Sequence, residues 1–267
     1  MTRSRILALS SLGATALLAV GVLSGCAAPA PEAAAPTEAG DQLEGTVTVF
    51  AAASLTETFE SLATEFEGEH PGVDVVFNFG GSSALATQIT EGAPADVFAA
   101  ANESTMQTVT DASLSVDPTI FASNTLEIAV PVGNPAGVTG LADFASPDLA
   151  IAICDVEVPC GAAADKLFTD AGVTAEPDTL EEDVKAVLTK VELGEADAGL
   201  VYVTDVIAAG DAVEGIEFAE ADLALNLYPI ATLADAPNPD AATAWVQFVL
   251  SDAGQAALAD AGFGAAE

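Results

Sequence analysis

The sequence predicts an α/β fold of mixed, mostly parallel sheets covered by helices. Two observations carry that prediction. Short apolar runs alternate with segments of helical periodicity, and helix-start residues follow the apolar runs directly. Such alternation lays helices over the faces of parallel sheets. No internal repeat of fixed period interrupts it.

In order along the chain, residues 46–51 (TVTVFA) read as a buried strand. Ser54 follows as an N-cap, with Glu57 three residues on completing a capping box. Leu55, Phe59, Leu62 and Phe66 then fall at helical spacing and give one apolar face. Gly68 and Pro71 end that helix, and 73–79 is the next strand. Ser82, after Gly80 and Gly81, caps a helix running to about Glu91, and 95–100 is a short strand. In the second half, 126–132, 149–154, 198–203 and 225–233 are β-like. Residues 161–171 and 206–209 are helix-like, Asp183 caps a helix from Val184 to about Leu193, and helices over 241–250 and 252–259 close the chain.

The first residues address the compartment. Arg3 and Arg5 precede an apolar stretch over 6–23, and Leu23-Ser24-Gly25-Cys26 reads as a lipobox. The expected products are a signal peptide over 1–25 and a lipidated Cys26. A single membrane anchor is the alternative, but the stretch is barely long enough to span, and its small residues and terminal Cys favour the lipobox. Residues 26–44, rich in Ala, Pro and Glu, have almost nothing to bury and read as a tether. The remaining length suits one large domain or two lobes.

Beyond the lipobox the only basic residues are Lys166, Lys185 and Lys190, against 41 acidic ones. A surface so acidic repels nucleic acid and acidic membranes; a source whose proteins are generally acidic accounts for it without any function. With Cys26 assigned to lipid, Cys154 and Cys160 remain, and outside the cytoplasm a disulfide closing that short loop is expected.

Three strand-to-helix junctions carry the chemistry: Ala51-Ala52-Ala53-Ser54-Leu55, Gly80-Gly81-Ser82-Ser83 and Val158-Pro159-Cys160-Gly161. A helix start offers free N–H groups and a partial positive charge, which together attract anions. Ser54 and Ser82 add hydroxyl donors, and glycines at 80, 81 and 161 allow close approach to the main chain. Ligands of open α/β sheets collect outside the carboxyl ends of the strands. Ordinary N-capping explains any one of these serines alone; facing one another, the junctions would form an anion pocket. Other chemistries are poorly served. The one histidine, His70, reads as a solvated loop residue, and no Gly-x-Ser-x-Gly elbow occurs. Metal-binding motifs are missing too.

The stretch VTVFAAASLTETFESLATEF, then FGGSSALATQITEGAPADVFAAA, VPCGAAADKL and LEEDVKAVLTKVELGEADAGLVYVTDV, resembles the substrate-binding protein of molybdate ABC importers. The resemblance spans essentially the whole body from Thr46. It implies a type II periplasmic-binding-protein fold: two α/β lobes and a hinge crossed twice, near Ser123-Asn124 and Leu227-Tyr228. The first lobe would then hold 45–123 and 229–267, and the second 124–228. The implied anion ligands are the hydroxyls and N–H groups of Ser54 and Ser82, the N–H groups of Cys160 and Val184, and the hydroxyl of Tyr202. Cys160 departs from the alanine common at that position, but the role is a main-chain one. The resemblance further implies a non-enzymatic monomer without a cofactor. It would hold molybdate or tungstate and serve an ABC permease and its ATPase from the outer face of the membrane. Sulfate, phosphate and a tungstate site completed by Asp155 or Glu157 are the nearest rivals.

Overall fold

The computed structural model describes residues 43–266, so the expectations for the signal segment, Cys26 and most of the tether lie outside the described residues. The body opens with β1 (Gly45–Ala52), a 3₁₀ turn (Ala53–Leu55) and α1 (Thr56–Glu69). Then come β2 (Val73–Gly80), α2 (Ser82–Thr90), β3 (Val97–Ala99), α3 (Glu103–Asp111) and β4 (Ser115–Asn124). A second set follows: β5 (Leu126–Pro131), β6 (Ile151–Cys154), α4 (Pro159–Ala171), β7 (Thr179–Glu181), α5 (Val184–Glu192), β8 (Ala198–Tyr202), α6 (Val203–Ala209) and β9 (Val213–Ile216). The chain ends with β10 (Asn226–Leu233), α7 (Pro239–Leu250) and α8 (Asp252–Asp260).

Two sheets result, in the orders β2-β1-β3-β10-β4 and β7-β6-β8-β5-β9. These are the same order twice. Each sheet has two parallel pairings at one end and two antiparallel pairings at the other, so the strands are mixed in equal parts. The antiparallel half of each sheet contains the strands next to the passage between lobes. Only Thr125 separates β4 from β5, and Asn226 already pairs with Asn124, so the return to the first sheet is complete at Asn226. The C-terminal segment adds a third tie near that passage, with Ser123 and Gly264 exchanging backbone hydrogen bonds of 2.9 Å.

A further correspondence between lobes is chemical. In the first, the Thr48 N–H donates to Asp96 Oδ2 at 2.8 Å and the Asp96 N–H donates to the Thr48 carbonyl at 2.8 Å. In the second, Ala150 and Asp197 repeat the pattern at 2.9 and 2.7 Å. Each aspartate thus pins one parallel strand to its neighbour. Asp96 also takes the Asn238 N–H at 2.6 Å, which fixes the start of α7.

The apolar face of α1 packs as its spacing predicts, with Phe59, Leu62 and Phe66 fully buried. Trp245 of α7 meets Phe59 and Phe66 edge-on at 5.7 and 5.4 Å. Elements that escaped the sequence pattern have weak patterns for identifiable reasons. Helix α3 buries only Thr105, Met106 and Val109 and depends on its cap, in which the Thr105 N–H donates to Asn102 Oδ1 at 3.0 Å. Strand β4 contains Pro118, a positive φ of 43° at Asp117 and register shifts, which break its alternation.

Trp245→Ala should cost about 3–5 kcal/mol, the usual range for deleting a large core aromatic. The indole N–H has no partner, so Trp245→Phe should retain most of that stability. Urea unfolding of both variants checks the pair; equal losses would contradict the packing argument.

Candidate anion-binding site

The carboxyl ends of β1, β2, β6, β7 and β8 converge, and each passes into a turn or helix start. Ser54, Ser82, Cys160, Val184 and Tyr202 all line one small, partly open pocket, with Gly80, Gly81, Ala101, Val158 and Asp183 among the other lining residues. The structure therefore brings together all five residues singled out from the sequence.

Two of the five act differently from expectation. Ser54 does not cap α1: it lies in the 3₁₀ turn, and no side chain caps that helix. Its Oγ is instead 3.0 Å from Tyr228 Oη. Glu57 completes no capping box and reaches toward Lys185, at 2.9 Å. Ser82 is the first residue of α2 rather than its cap, and its Oγ accepts the Ala101 N–H at 3.0 Å. In both cases a partner distant in the chain outcompetes the local N–H groups. Asp183 does cap as expected, accepting the Ala186 N–H at 2.9 Å.

Those partners determine the chemistry. A hydroxyl has one proton and two acceptor sites. Ser82 Oγ accepts from Ala101, and Tyr202 Oη accepts from Asn226 Nδ2 at 3.1 Å, so each keeps its proton for another acceptor. Burial and the facing Tyr228 hold the Tyr202 phenol well above the usual tyrosine range. Burial likewise raises Tyr228, against the opposing hydrogen bond from Ser54. Both rings stay protonated at any physiological pH. Asn226 and Tyr228, two residues apart on β10, belong to the site and were missed. A buried Asn within an otherwise apolar strand requires a partner, and that was the available signal.

Main-chain donors complete the lining. Pro159 begins α4 and has no N–H, so Cys160 supplies the first one of that helix. Cys154 and Cys160 are disulfide-bonded, with Cα atoms 5.8 Å apart, and the bond closes the loop leading to that donor. A Cβ at Gly161 would collide with the Asp155 carbonyl, so only glycine permits this tight loop. Val184 begins α5, leaving its N–H without an acceptor inside the helix. The two lobes meet here: a Cβ on Gly81 of the first would collide with the Glu182 carbonyl of the second. Asp155 and Glu157 are not among the lining residues, and neither is His70, which packs at a tilt against Phe66 at the far end of α1.

Lys185, directly after Val184, turns away from the cavity. Its Nζ is 3.1 Å from the fully buried Asp205 and 2.9 Å from Glu57. Burial alone would lower its pKa, but Asp205 and Glu57 outweigh burial and hold the ammonium above the usual lysine range. Asp205 Oδ2 accepts the Tyr202 N–H at 3.0 Å. Even so, burial pushes Asp205 up to about 6, against the lowering effects of Lys185 and that N–H.

Comparisons with known proteins place this geometry. The family model for bacterial extracellular solute-binding proteins matches residues 47–264. The chain is 40% identical to the molybdate-binding protein ModA of Mycobacterium tuberculosis, over 97% of this chain and 98% of the relative. Among solved structures, the periplasmic molybdate-binding protein of Azotobacter vinelandii superposes with a TM-score of 0.71 at 21% identity, covering 83% of this chain and 100% of that one. The sulfate-binding protein SubI of Mycobacterium tuberculosis superposes with a TM-score of 0.72 at 18% identity, covering 82% and 86%. At such identities the two structures establish the shared fold alone, and that fold serves binders of different anions.

The raised Asp205 carboxyl makes a pH prediction. Its folded pKa of about 6 exceeds the ordinary 3.8, so its contribution to stability is fully present below 3.8 and is lost as pH rises toward 6. The melting temperature of Asp205→Asn, relative to the unaltered protein, should therefore rise across that window. A relative fall would mean that the Lys185 pair outweighs burial.

Proposed function

Since the chain belongs to the bacterial extracellular solute-binding proteins, we propose that it captures molybdate outside the cytoplasm and delivers it to an ABC importer's permease and ATPase. The observation that carries this reading is the donor set of one pocket: hydroxyls of Ser54, Ser82 and Tyr202, and helix-start N–H groups of Cys160 and Val184. Molybdate near neutral pH is a fully ionised dianion, and all its oxygens accept. A site rich in donors suits it. Hydrogen bonds to a charged partner are about twice as strong as neutral ones, so several suffice without a cation at the anion. Phosphate keeps a proton at that pH and would need an acceptor; Ser82 and Tyr202 already accept from Ala101 and Asn226, which turns their own protons toward other acceptors.

Tungstate has the same charge and nearly the same size, and on this reading binds as well. Sulfate presents the same acceptors, and only cavity size and donor spacing exclude it. The anion first meets Ser54 and Ser82 of the open first lobe. Closure about the two strand crossings then adds Cys160, Val184 and Tyr202, an ordinary hinge motion. The protein performs no chemistry on the anion. It works as a monomer, held at the outer face of the membrane by lipid on Cys26 through the 26–44 tether.

Calorimetric titration of the body with molybdate, tungstate, sulfate and phosphate tests the reading. One-to-one binding of the first two and none of the others is expected; a response to sulfate or phosphate alone would reassign the pocket. Ser54→Ala and Ser82→Ala should each weaken molybdate binding by about 1.5–3 kcal/mol, the usual worth of a hydrogen bond to a charged group. Unchanged affinity in both would remove the serines from the site. Separately, Cys26→Ser should abolish fatty-acid labelling and release the protein from the membrane fraction.

A further inference from the structure

We propose that Glu57, Lys185 and Asp205 form a clasp between the lobes that sets how fast the anion is released, without touching it. The inference rests on the anion reading above.

Of the three lysines in the body, two pair within their own lobe: Lys166 with Asp170 on the same helix, and Lys190 with Glu181 and Glu195. Lys185 alone reaches across. It stands on α5 of the second lobe, one residue after the proposed anion donor Val184, and pairs with Glu57 on α1 of the first lobe, three residues after Ser54. Its other partner, Asp205, lies in its own lobe and holds the N–H of Tyr202. The clasp therefore links the three segments that carry Ser54, Val184 and Tyr202.

The partners differ in a way that defines their roles. Asp205 is 0% exposed and on the same lobe as Lys185, so that pair persists when the lobes part. Glu57 is 52% exposed and on the opposite lobe, so opening separates it from Lys185 and returns it to water. Asp205 thus aims the ammonium, and Glu57 is the catch. Because both carboxylates engage Nζ and Lys185 is not among the cavity-lining residues, the cation serves closure rather than the anion. Glu57 and Lys185 are positioning residues in this sense: they hold the closed geometry in which the donors converge.

An interaction made only in the closed form slows release far more than it speeds capture. Losing a half-exposed pair should accelerate release about two- to fivefold. The experiment loads the full-length protein with radiolabelled molybdate and chases with unlabelled anion. Glu57→Gln and Lys185→Met should both release faster, with association rates within about twofold of the unaltered protein. The double variant should release no faster than Lys185→Met alone, because Glu57→Gln removes only a pair that Lys185→Met has already broken. Lys185→Arg should restore slow release, and added salt should speed the unaltered protein toward the variants. Glu57→Gln should leave the melting temperature of the anion-free protein unchanged, since the catch is absent when the lobes are apart.

Release from Glu57→Gln at the unaltered rate would overturn the clasp, as would additive effects in the double variant. If the unaltered protein holds no molybdate, the anion reading falls. The clasp is then judged by the closed fraction, measured with one spin label on each lobe, in whichever anion saturates the protein. Glu57→Gln must lower that fraction, and an unchanged fraction overturns the proposal.

Discussion

Neutral dipoles act only at short range and in fixed directions, and the donors at this site are neutral dipoles. That constraint governs the rest of the structure. A lysine at the anion could tolerate an ångström of misplacement; a serine proton or a helix-start N–H cannot. Each donor is accordingly held by something rigid. Pro159 leaves Cys160 as the first donor of α4, and the disulfide and Gly161 fix the loop before it. Ala101 orients Ser82, Asn226 orients Tyr202, and Tyr228 engages Ser54. Close approach of the lobes is the second requirement, and Gly81 against Glu182 meets it by having no side chain.

The repeated sheet order explains why the donors converge. In the two sheets β1 corresponds to β6 and β2 to β7, because they hold the same places in β2-β1-β3-β10-β4 and β7-β6-β8-β5-β9. Ser54 follows β1 and Cys160 follows β6; Ser82 follows β2 and Val184 follows β7. Corresponding helix starts therefore face one another across the cavity. These helix starts differ in how they donate, by hydroxyl and main chain in the first lobe and by main chain in the second. Tyr202 ends β8, whose counterpart β3 leads to Ala101, the residue that orients Ser82. One position donates to the cavity and the corresponding one sets the direction of a donor.

This division marks what the sequence could reveal. Helix starts after strands are local patterns, so Ser54, Ser82 and the Cys160 junction could be singled out on their own residues, as could the cap at Asp183. Val184 and Tyr202 entered only through family resemblance, since an N–H and a tyrosine in an apolar strand carry no local sign of function. What each serine hydroxyl does was misread, because the deciding partner is remote. Tyr228 lies 174 residues from Ser54, and Ala101 lies 19 from Ser82. Capping rules weigh only the nearest N–H groups. The same holds for the fold: α1, with its apolar face, was legible, whereas α3 and the irregular β4 were not. The twofold relation of the lobes was hidden because it lives in strand order and in the matching long-range contacts of Asp96 and Asp197, not in a periodic sequence.

The acidic surface fits this account once range is considered. A chain with three lysines and 41 acidic residues beyond the lipobox should repel a dianion. Charges on the surface, however, are screened over a Debye length of about 8 Å at physiological salt. Within the cavity the nearest groups are helix starts and hydroxyls, whose field is local and positive. Asp183, which lines the pocket, is committed to an N–H of α5, and Asp205 and Glu57 are committed to Lys185. Long-range repulsion thus slows arrival in dilute salt and fades in concentrated salt, while retention depends on the dipoles and on closure. On the proposed reading, capture and retention are governed by different residues, and an acidic body can hold an anion without any lysine touching it.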